Sequence, residues 1–449
     1  MDVNNVSSSA APHYLIGGGT PLAGEVSISG AKNAVTKMII ASLLTNELCT
    51  LRNVPLLGDL DLTVKLCEDL GSEVSIDDHK LFIRTPHVHK TTISNRVGGL
   101  NRIAVMTLGP LLHRCGEVTF PKPGGDRIGP RPIDFHLNGL RQMGATIEER
   151  EDSYYCTTSR RLHGATIHLP FPSVMATENF LITGSLAKGV TIINNAAMEP
   201  EINDLIKLLQ KMGAIIEIKV DRRIVIEGVD RLHGASHTLL SDRNEAVSLA
   251  VATYLTKGDV YLRGAQQDTL LTFLNTLSKM RLRFDIDDEG IRFIGDEQPP
   301  PALALETDVH PGFMTDWQQP FTVLLTQADG ISVVHETIYE DRFGYTSSLM
   351  RMGAQIGLFT KCLGEVSCRF REKEYVHSCV VSGPTPLKGN RLDIPDIRAG
   401  CSYILAALCA EGTSEVYGIE HIERGYEHLD AKLRLLGANI QRVDERVEV

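Results

Sequence analysis

Five short segments concentrate residues able to hold an anion or move a proton. Ser29-Gly30-Ala31-Lys32-Asn33-Ala34 follows the alternating run GEVSI and opens the apolar run VTKMIIASLL. Gly30 permits a sharp turn, and a helix starting there presents free N–H groups beside the Lys32 ammonium, an anion site by geometry. The same residues also suit a plain strand-to-helix turn with a surface lysine. Residues 122–132, KPGGDRIGPRP, hold three glycines, three prolines and four charges, which makes a loop. It is long enough to cover a ligand. It offers Asp126 for proton exchange, and Arg127 and Arg131 as forked phosphate ligands. A mobile surface loop would have the same composition.

The third segment, residues 308–320, carries the only Trp, and Asp316 at a helix start. Such an aspartate serves as an N-terminal cap or as a base, and read alone the position favours the cap. The fourth, Asp396-Ile397-Arg398-Ala399-Gly400, opens the helix CSYILAALCA. The fifth, Ile422-Glu423-Arg424-Gly425-Tyr426-Glu427, opens a helix ending at Gly437. Both put an arginine where the helix dipole disfavours a cation, which points to a bound anion.

The elements that must position these segments repeat along the chain. An amphipathic run ending in Leu or Met, then Gly-Ala or a relative, then an apolar strand start, recurs six times. Its middle residues are Gly71, Gly144, Gly213, Arg281, Gly353 and Gly437, at spacings of 73, 69, 68, 72 and 84. The apolar residues fall at helical spacing, the glycine supplies a left-handed cap, and the runs that follow alternate like strands. Upstream of each cap lies a second signal, an Ala- or Leu-rich helix end followed by a strand, as in GSLAKGVTIINN. Each copy therefore reads as helix, strand, helix, strand with further short strands. A unit this small must pack against its siblings, so six units most simply make two α/β domains of three.

Composition bounds the function. The chain has 449 residues, too many for one ordinary core, with 43% apolar and 22% charged residues. Its net charge of −11 argues against nucleic acid or an anionic membrane as partner, so an anionic ligand must be held by a local cationic cluster. No apolar run suits a signal peptide or a membrane span. Nine cysteines without a paired CxxC set argue against structural zinc, and free thiols fit a reducing cytoplasm.

Taken together, SGAKNA, GGDRIGPRPIDFH, SVMATEN, AAMEPEIND, FMTDWQQPF, DIRAG and IERGYE stand in the order of the enolpyruvyl transferase superfamily. The chain resembles that superfamily from about Gly17 to about Arg442, and within it the branch acting on UDP-N-acetylglucosamine. The resemblance implies six repeats forming two inside-out α/β barrel domains. One would be residues 32–240, carrying the mobile loop 121–132. The other would be 13–31 with 241–449, and 1–12 would be a disordered lead. The domains would close on phosphoenolpyruvate and UDP-N-acetylglucosamine, with no metal or organic cofactor. Roles carry over motif by motif. Lys32, Asn33, Arg131, Arg398 and Arg424 would contact phosphoenolpyruvate. Asn33, Arg102, Arg131, Pro132, Ile133, Asp134, Phe135 and His136 would contact the nucleotide sugar, as would Ser173, Val174, Ile338 and Tyr339. Asp316 would meet the sugar 3-hydroxyl as general base.

Two positions depart from the family pattern. Asp126 stands where most members carry a loop cysteine, and Met175 where glycine is usual. Aspartate still donates a proton but cannot be alkylated as a thiolate can, which implies resistance to fosfomycin. Met175 lacks glycine's freedom to bring backbone close to the diphosphate. The implied reaction is addition followed by elimination, the first committed step of peptidoglycan precursor synthesis. Asp126 would protonate the methylene carbon, and Lys32, Arg131, Arg398 and Arg424 would converge on the tetrahedral species and the leaving phosphate. Rivals are transfer to another uridine nucleotide, and a non-catalytic UDP-sugar-binding paralogue. The shikimate-pathway branch is disfavoured because its Lys-Ser-x-Ser and Gly-Asn-Ala-Gly-Thr signatures are missing.

Overall fold

The computed structural model describes residues 11–95, 102–122, 133–365 and 368–444. The six repeated signals end helices. Gly71, Gly144, Gly213, Gly353 and Gly437 have φ between 94° and 113°, a region open to glycine because it has no Cβ. Arg281 holds the same place in the degenerate copy and adopts φ 57°. The turn thus survives the loss of glycine, at a steric cost.

Each copy runs strand, helix, strand, helix, strand, strand. In one it is Thr166–His168, Val174–Gly184, Val190–Asn194, Pro200–Lys211, Ile215–Lys219 and Arg223–Glu227. The first two strands pair in parallel, as a helical crossover between them requires, and the last two join antiparallel. Five four-stranded sheets share this order. The sixth has the strands Glu117–Pro121, Thr146–Glu149 and Ser153–Thr157, and its parallel edge is reduced to a bridge between Thr92 and Thr119.

The chain divides into two compact units. One is Ser29–Asp242 with Val309–Pro311, and the other holds the N-terminal strands, Arg243–Asp308 and the chain from Gly312 onward. Each contains three of the sheets. In the second, His13–Gly17 lies between Thr413–Tyr417 and Asn439–Val443, and Ala23–Ser27 runs parallel to Asp259–Arg263. In the first, Ser236–Thr238 pairs with Cys49–Arg52. Chain-distant strands thereby complete a sheet in both units.

Helices occupy the middle of each unit. Arg243–Leu255 is buried at every position, Thr315–Leu325 at every position but Asp316, and Ile397–Cys409 through Leu408. These three pack on one another. A helix buried all round needs structure on every side, so the sheets lie outside. In the Ser29–Asp242 unit, Val174–Gly184 packs on Ile103–Cys115, which packs on Lys32–Ser42. Where hairpins elsewhere turn through residues 78–79, 150–152, 220–222 or 287–289, residues 360–377 join Gln355–Phe359 to Ser378–Gly383. That insertion accounts for the long last repeat spacing. No helix among the described residues is long and apolar enough to cross a membrane.

Candidate active site

In the Ser29–Asp242 unit, Lys32 is the first residue of the helix Lys32–Ser42. Ala31 provides no side-chain cap, and the Lys32 N–H donates instead to the Asp242 carboxylate at 3.0 Å. The Lys32 Nζ lies 3.0 Å from Asp59, so the ammonium is oriented by protein before any ligand arrives. The Asn33 carbonyl accepts from Lys37 Nζ at 2.9 Å, and Lys37 also faces Glu178 at 3.9 Å. This ties the SGAKNA helix to the SVMATEN helix. Burial raises the Glu178 carboxyl to about 8, against the pull of Lys37 and with Glu201 and Glu199 adding to the rise.

Ser173 caps Val174–Gly184, its hydroxyl accepting from the Ala176 N–H at 3.4 Å. Val174 and Met175 form that helix's first turn. Ile133 is the N-cap of Asp134–Gln142. Phe135 meets Phe171 edge to face with centroids 5.2 Å apart. His136 is buried and its Nδ1 faces the Asn179 amide at 3.0 Å. Burial lowers the His136 imidazole to about 3, and the nearby Arg102 charge adds to this, so the ring is neutral at physiological pH. Asp126, Arg127, Arg131 and Pro132 lie outside the described residues.

The other unit brings Asp316 and Tyr339 against a residue that the motifs do not single out, Arg342, and Arg398 against Asp316. Asp316 Oδ1 accepts from Arg342 Nη2 at 2.8 Å, and Oδ2 accepts from Arg398 Nε at 3.2 Å. Asp316 is therefore not the helix cap its position suggested. Met314 is the N-cap, and the Asp316 carboxylate lies between two guanidiniums. Arg342 is itself buried, and its guanidinium stacks 4.9 Å from the Tyr339 ring centroid. Burial opposes its charge, but Asp316, Tyr339, Glu336 and Asp396 outweigh that and raise its pKa.

Glu336 holds the neighbouring backbone. Its Oε1 accepts from the N–H groups of Ile338 and Tyr339 at 2.8 and 3.1 Å, and its Oε2 accepts from the Thr315 hydroxyl at 2.9 Å. Burial raises the Glu336 carboxyl despite these donors. With its amide oriented to donate to the Thr315 carbonyl, Gln319 accepts from Arg342 as well.

Arg398 is the second residue of its helix, and Asp396 caps that helix by accepting from the Arg398 and Ala399 N–H groups. Asp316 and Asp396 thus supply negative charge beside the arginine at the helix start. Arg398 Nη1 also donates to the Tyr426 hydroxyl at 2.9 Å. Arg424 departs from expectation. It is the C-cap of the short helix Ile419–Glu423, where the dipole favours a cation, and the helix ending before Gly437 begins at Leu429. Tyr426 lies within IERGYE and Arg342 lies three residues beyond Tyr339, but only the fold singles them out.

Known proteins align with this chain along its length. The EPSP synthase (3-phosphoshikimate 1-carboxyvinyltransferase) family model matches residues 16–433. UDP-N-acetylglucosamine 1-carboxyvinyltransferase of Protochlamydia amoebophila is 49% identical over 97% of this chain and 95% of its own. The enzyme of that name from Chlamydia pneumoniae is 47% identical over 95% and 94%, and that from Zymomonas mobilis 41% over 95% and 98%. Among solved structures, the enolpyruvyl transferase NikO from Streptomyces tendae superposes with a TM-score of 0.84 at 22% identity, covering 96% of this chain and 99% of its own. EPSP synthase from Acinetobacter baumannii gives 0.75 at 17%, covering 96% and 100%. With the six-sheet architecture and the family match over residues 16–433, these likenesses establish that the chain belongs to the EPSP synthase family of enolpyruvyl transferases.

Proposed function

We propose that this chain transfers the enolpyruvyl group of phosphoenolpyruvate to the 3-hydroxyl of UDP-N-acetylglucosamine and releases phosphate, a step toward peptidoglycan precursors. The observation that carries this reading is the near full-length identity of 41–49% to relatives named for that transfer. Asp316 takes the proton of the sugar hydroxyl. Its two arginine partners supply the orientation such a base requires. Asp126 protonates the methylene carbon. Lys32, Arg131, Arg398 and Arg424 neutralise the carboxylate and phosphate of the adduct, a charge load that a protein of net charge −11 must meet locally. Ser173, Val174, Arg102, Ile133, Asp134, Phe135, His136, Ile338 and Tyr339 bind the nucleotide sugar. The reaction needs no cofactor, because both substrates carry the groups that react.

The test is phosphate release by purified protein. Release that requires both substrates is expected. No release at any pH from about 5 to 9, a range in which a carboxylate base and acid each reach a working protonation state, would count against the reading. A panel of uridine nucleotides separates the named acceptor from a relative of it, and UDP-sugar binding without turnover would identify a non-catalytic paralogue.

A further inference from the structure

The described residues of the insertion 360–377 form no hairpin, yet three of them join one cluster. Cys362, Cys368 and His377 come from it, and His335 comes from the end of the strand Gly330–His335. One ligand atom from each of the four lies within 4.8 Å of every other, and Cys362 Sγ is 3.3 Å from His377 Nε2. We propose that His335, Cys362, Cys368 and His377 form a closed, structural zinc site.

The chemistry of the donors fits. Two thiolates and two imidazoles are a usual tetrahedral zinc set, with Zn–S about 2.3 Å and Zn–N about 2.0–2.1 Å. Those lengths put donors about 3.3–3.8 Å apart, so a modest inward shift of the half-buried cysteines completes the site. Binding would convert both thiols to thiolates and release their two protons.

The surroundings are those of ligands already oriented. Each histidine has its Nδ1 occupied and its Nε2 left for the ion. His377 Nδ1 faces the Tyr375 carbonyl at 2.7 Å, and His335 Nδ1 faces the Glu306 carboxylate at 3.2 Å. Outer partners of these two types fix the tautomer and direction of zinc-bound histidines. His335 is fully buried, and its Nε2 has no hydrogen-bond partner among the described residues, a cost that an ion would remove. The Phe370 N–H donates to Cys368 Sγ at 3.3 Å, as suits a thiolate. Gly364 fits against the pair because a Cβ there would come within 2.2 Å of both Glu306 Oε2 and His335 Nδ1.

The site also has something to brace. A long connection is costly to order, and an ion that clips it to a strand lowers that cost. From the same insertion, Arg369 donates to the Ile338 carbonyl and lies 3.6 Å from Glu340. His335 precedes Glu336, which holds Ile338 and Tyr339. A CxxC pair is the sequence signal of a zinc site. Here the cysteines are farther apart and one histidine arrives from another strand.

Elemental analysis of the full chain, purified under reducing conditions without chelator, tests this. About one zinc per chain is expected. Cys115→Ser should retain it, while Cys362→Ser with Cys368→Ser should lose it and melt at lower temperature. If the double variant does not fold, cobalt substitution of the unaltered chain decides. Thiolate-to-cobalt charge transfer and a tetrahedral d–d pattern support the site. A chain that stays metal-free after zinc loading, with both thiols reactive or joined as a disulfide, overturns it.

Discussion

The Asp316 carboxylate accepts from Arg398 Nε at 3.2 Å, and so joins the start of one buried central helix to the start of another. Arg342 holds the second oxygen at 2.8 Å. Both arginines are buried, at 4% and 7% exposure, so the carboxylate is their counter-charge as well as the proposed base. Replacing it separates the two roles. Asp316→Asn keeps the shape and loses the negative charge. Phosphate release should fall by about 100-fold or more, the usual worth of a positioned base. The melting temperature should fall too, because two buried guanidiniums lose a shared negative neighbour. Unchanged turnover in a folded variant would remove Asp316 from the chemistry.

Arg342→Met tests positioning in place of chemistry. It leaves Asp316 its Arg398 contact, removes the Arg342 contact and unstacks Tyr339. We expect kcat to drop by about 10-fold or more, with the pH–rate profile displaced on its acid limb, since a cation near a base sets where it titrates. A purely structural role would lower stability and leave that profile in place.

Glu178 gives the chain a pH-dependent stability. Its folded carboxyl sits at about 8 against an ordinary value of 4.5, chiefly through burial. A group raised on folding contributes stability that is complete below its unfolded value and is lost as pH rises through the folded one. The Glu178 contribution therefore wanes from about pH 4.5 to about 8. Glu178→Gln removes the ionisation. Its unfolding midpoint in urea should gain on that of the unaltered chain as pH rises across this window. Parallel midpoints at every pH would contradict the assignment.

Much of this was legible in the sequence because it rests on local rules. The recurring Gly-Ala signals revealed six copies, since a left-handed cap demands a particular residue. Lys32 and Arg398 fell at helix starts as read. Pairing between chain-distant residues was less accessible. Asp316 looks like a cap because capping is judged from one position, whereas Arg342 reaches it from a turn 26 residues further along the chain. The sequence places Arg424 at a helix start because the break at His428, with φ 46°, has no glycine to announce it. The His335–Cys362–Cys368–His377 group is invisible in the sequence because antiparallel strand pairing, not chain spacing, assembles it.

The Cys-to-Asp difference at residue 126 can be tested from sequence chemistry alone. The resemblance to the branch acting on UDP-N-acetylglucosamine implies that fosfomycin works by alkylating a loop thiolate, and a carboxylate is a far weaker nucleophile toward it. Time-dependent inhibition should be absent in the unaltered chain and should appear in Asp126→Cys. Inhibition of the unaltered chain that deepens with time and survives dialysis would refute the argument.

The last prediction concerns the degenerate repeat. Five copies place glycine at the left-handed turn, and the fourth places Arg281 there at φ 57°. A side chain in that region costs about 1–2 kcal/mol through its Cβ. Glycine avoids that clash but gives the unfolded chain more freedom, about 0.4–1 kcal/mol in the opposite sense. The steric gain is the larger, so Arg281→Gly should stabilise the chain by about 1 kcal/mol, read as a higher urea midpoint with an unchanged slope. Arg281→Ala keeps the Cβ and should show no such gain. Equal midpoints for the two variants would mean that a Cβ carries no net cost at this turn, because both variants lack the arginine side chain and differ in the Cβ alone.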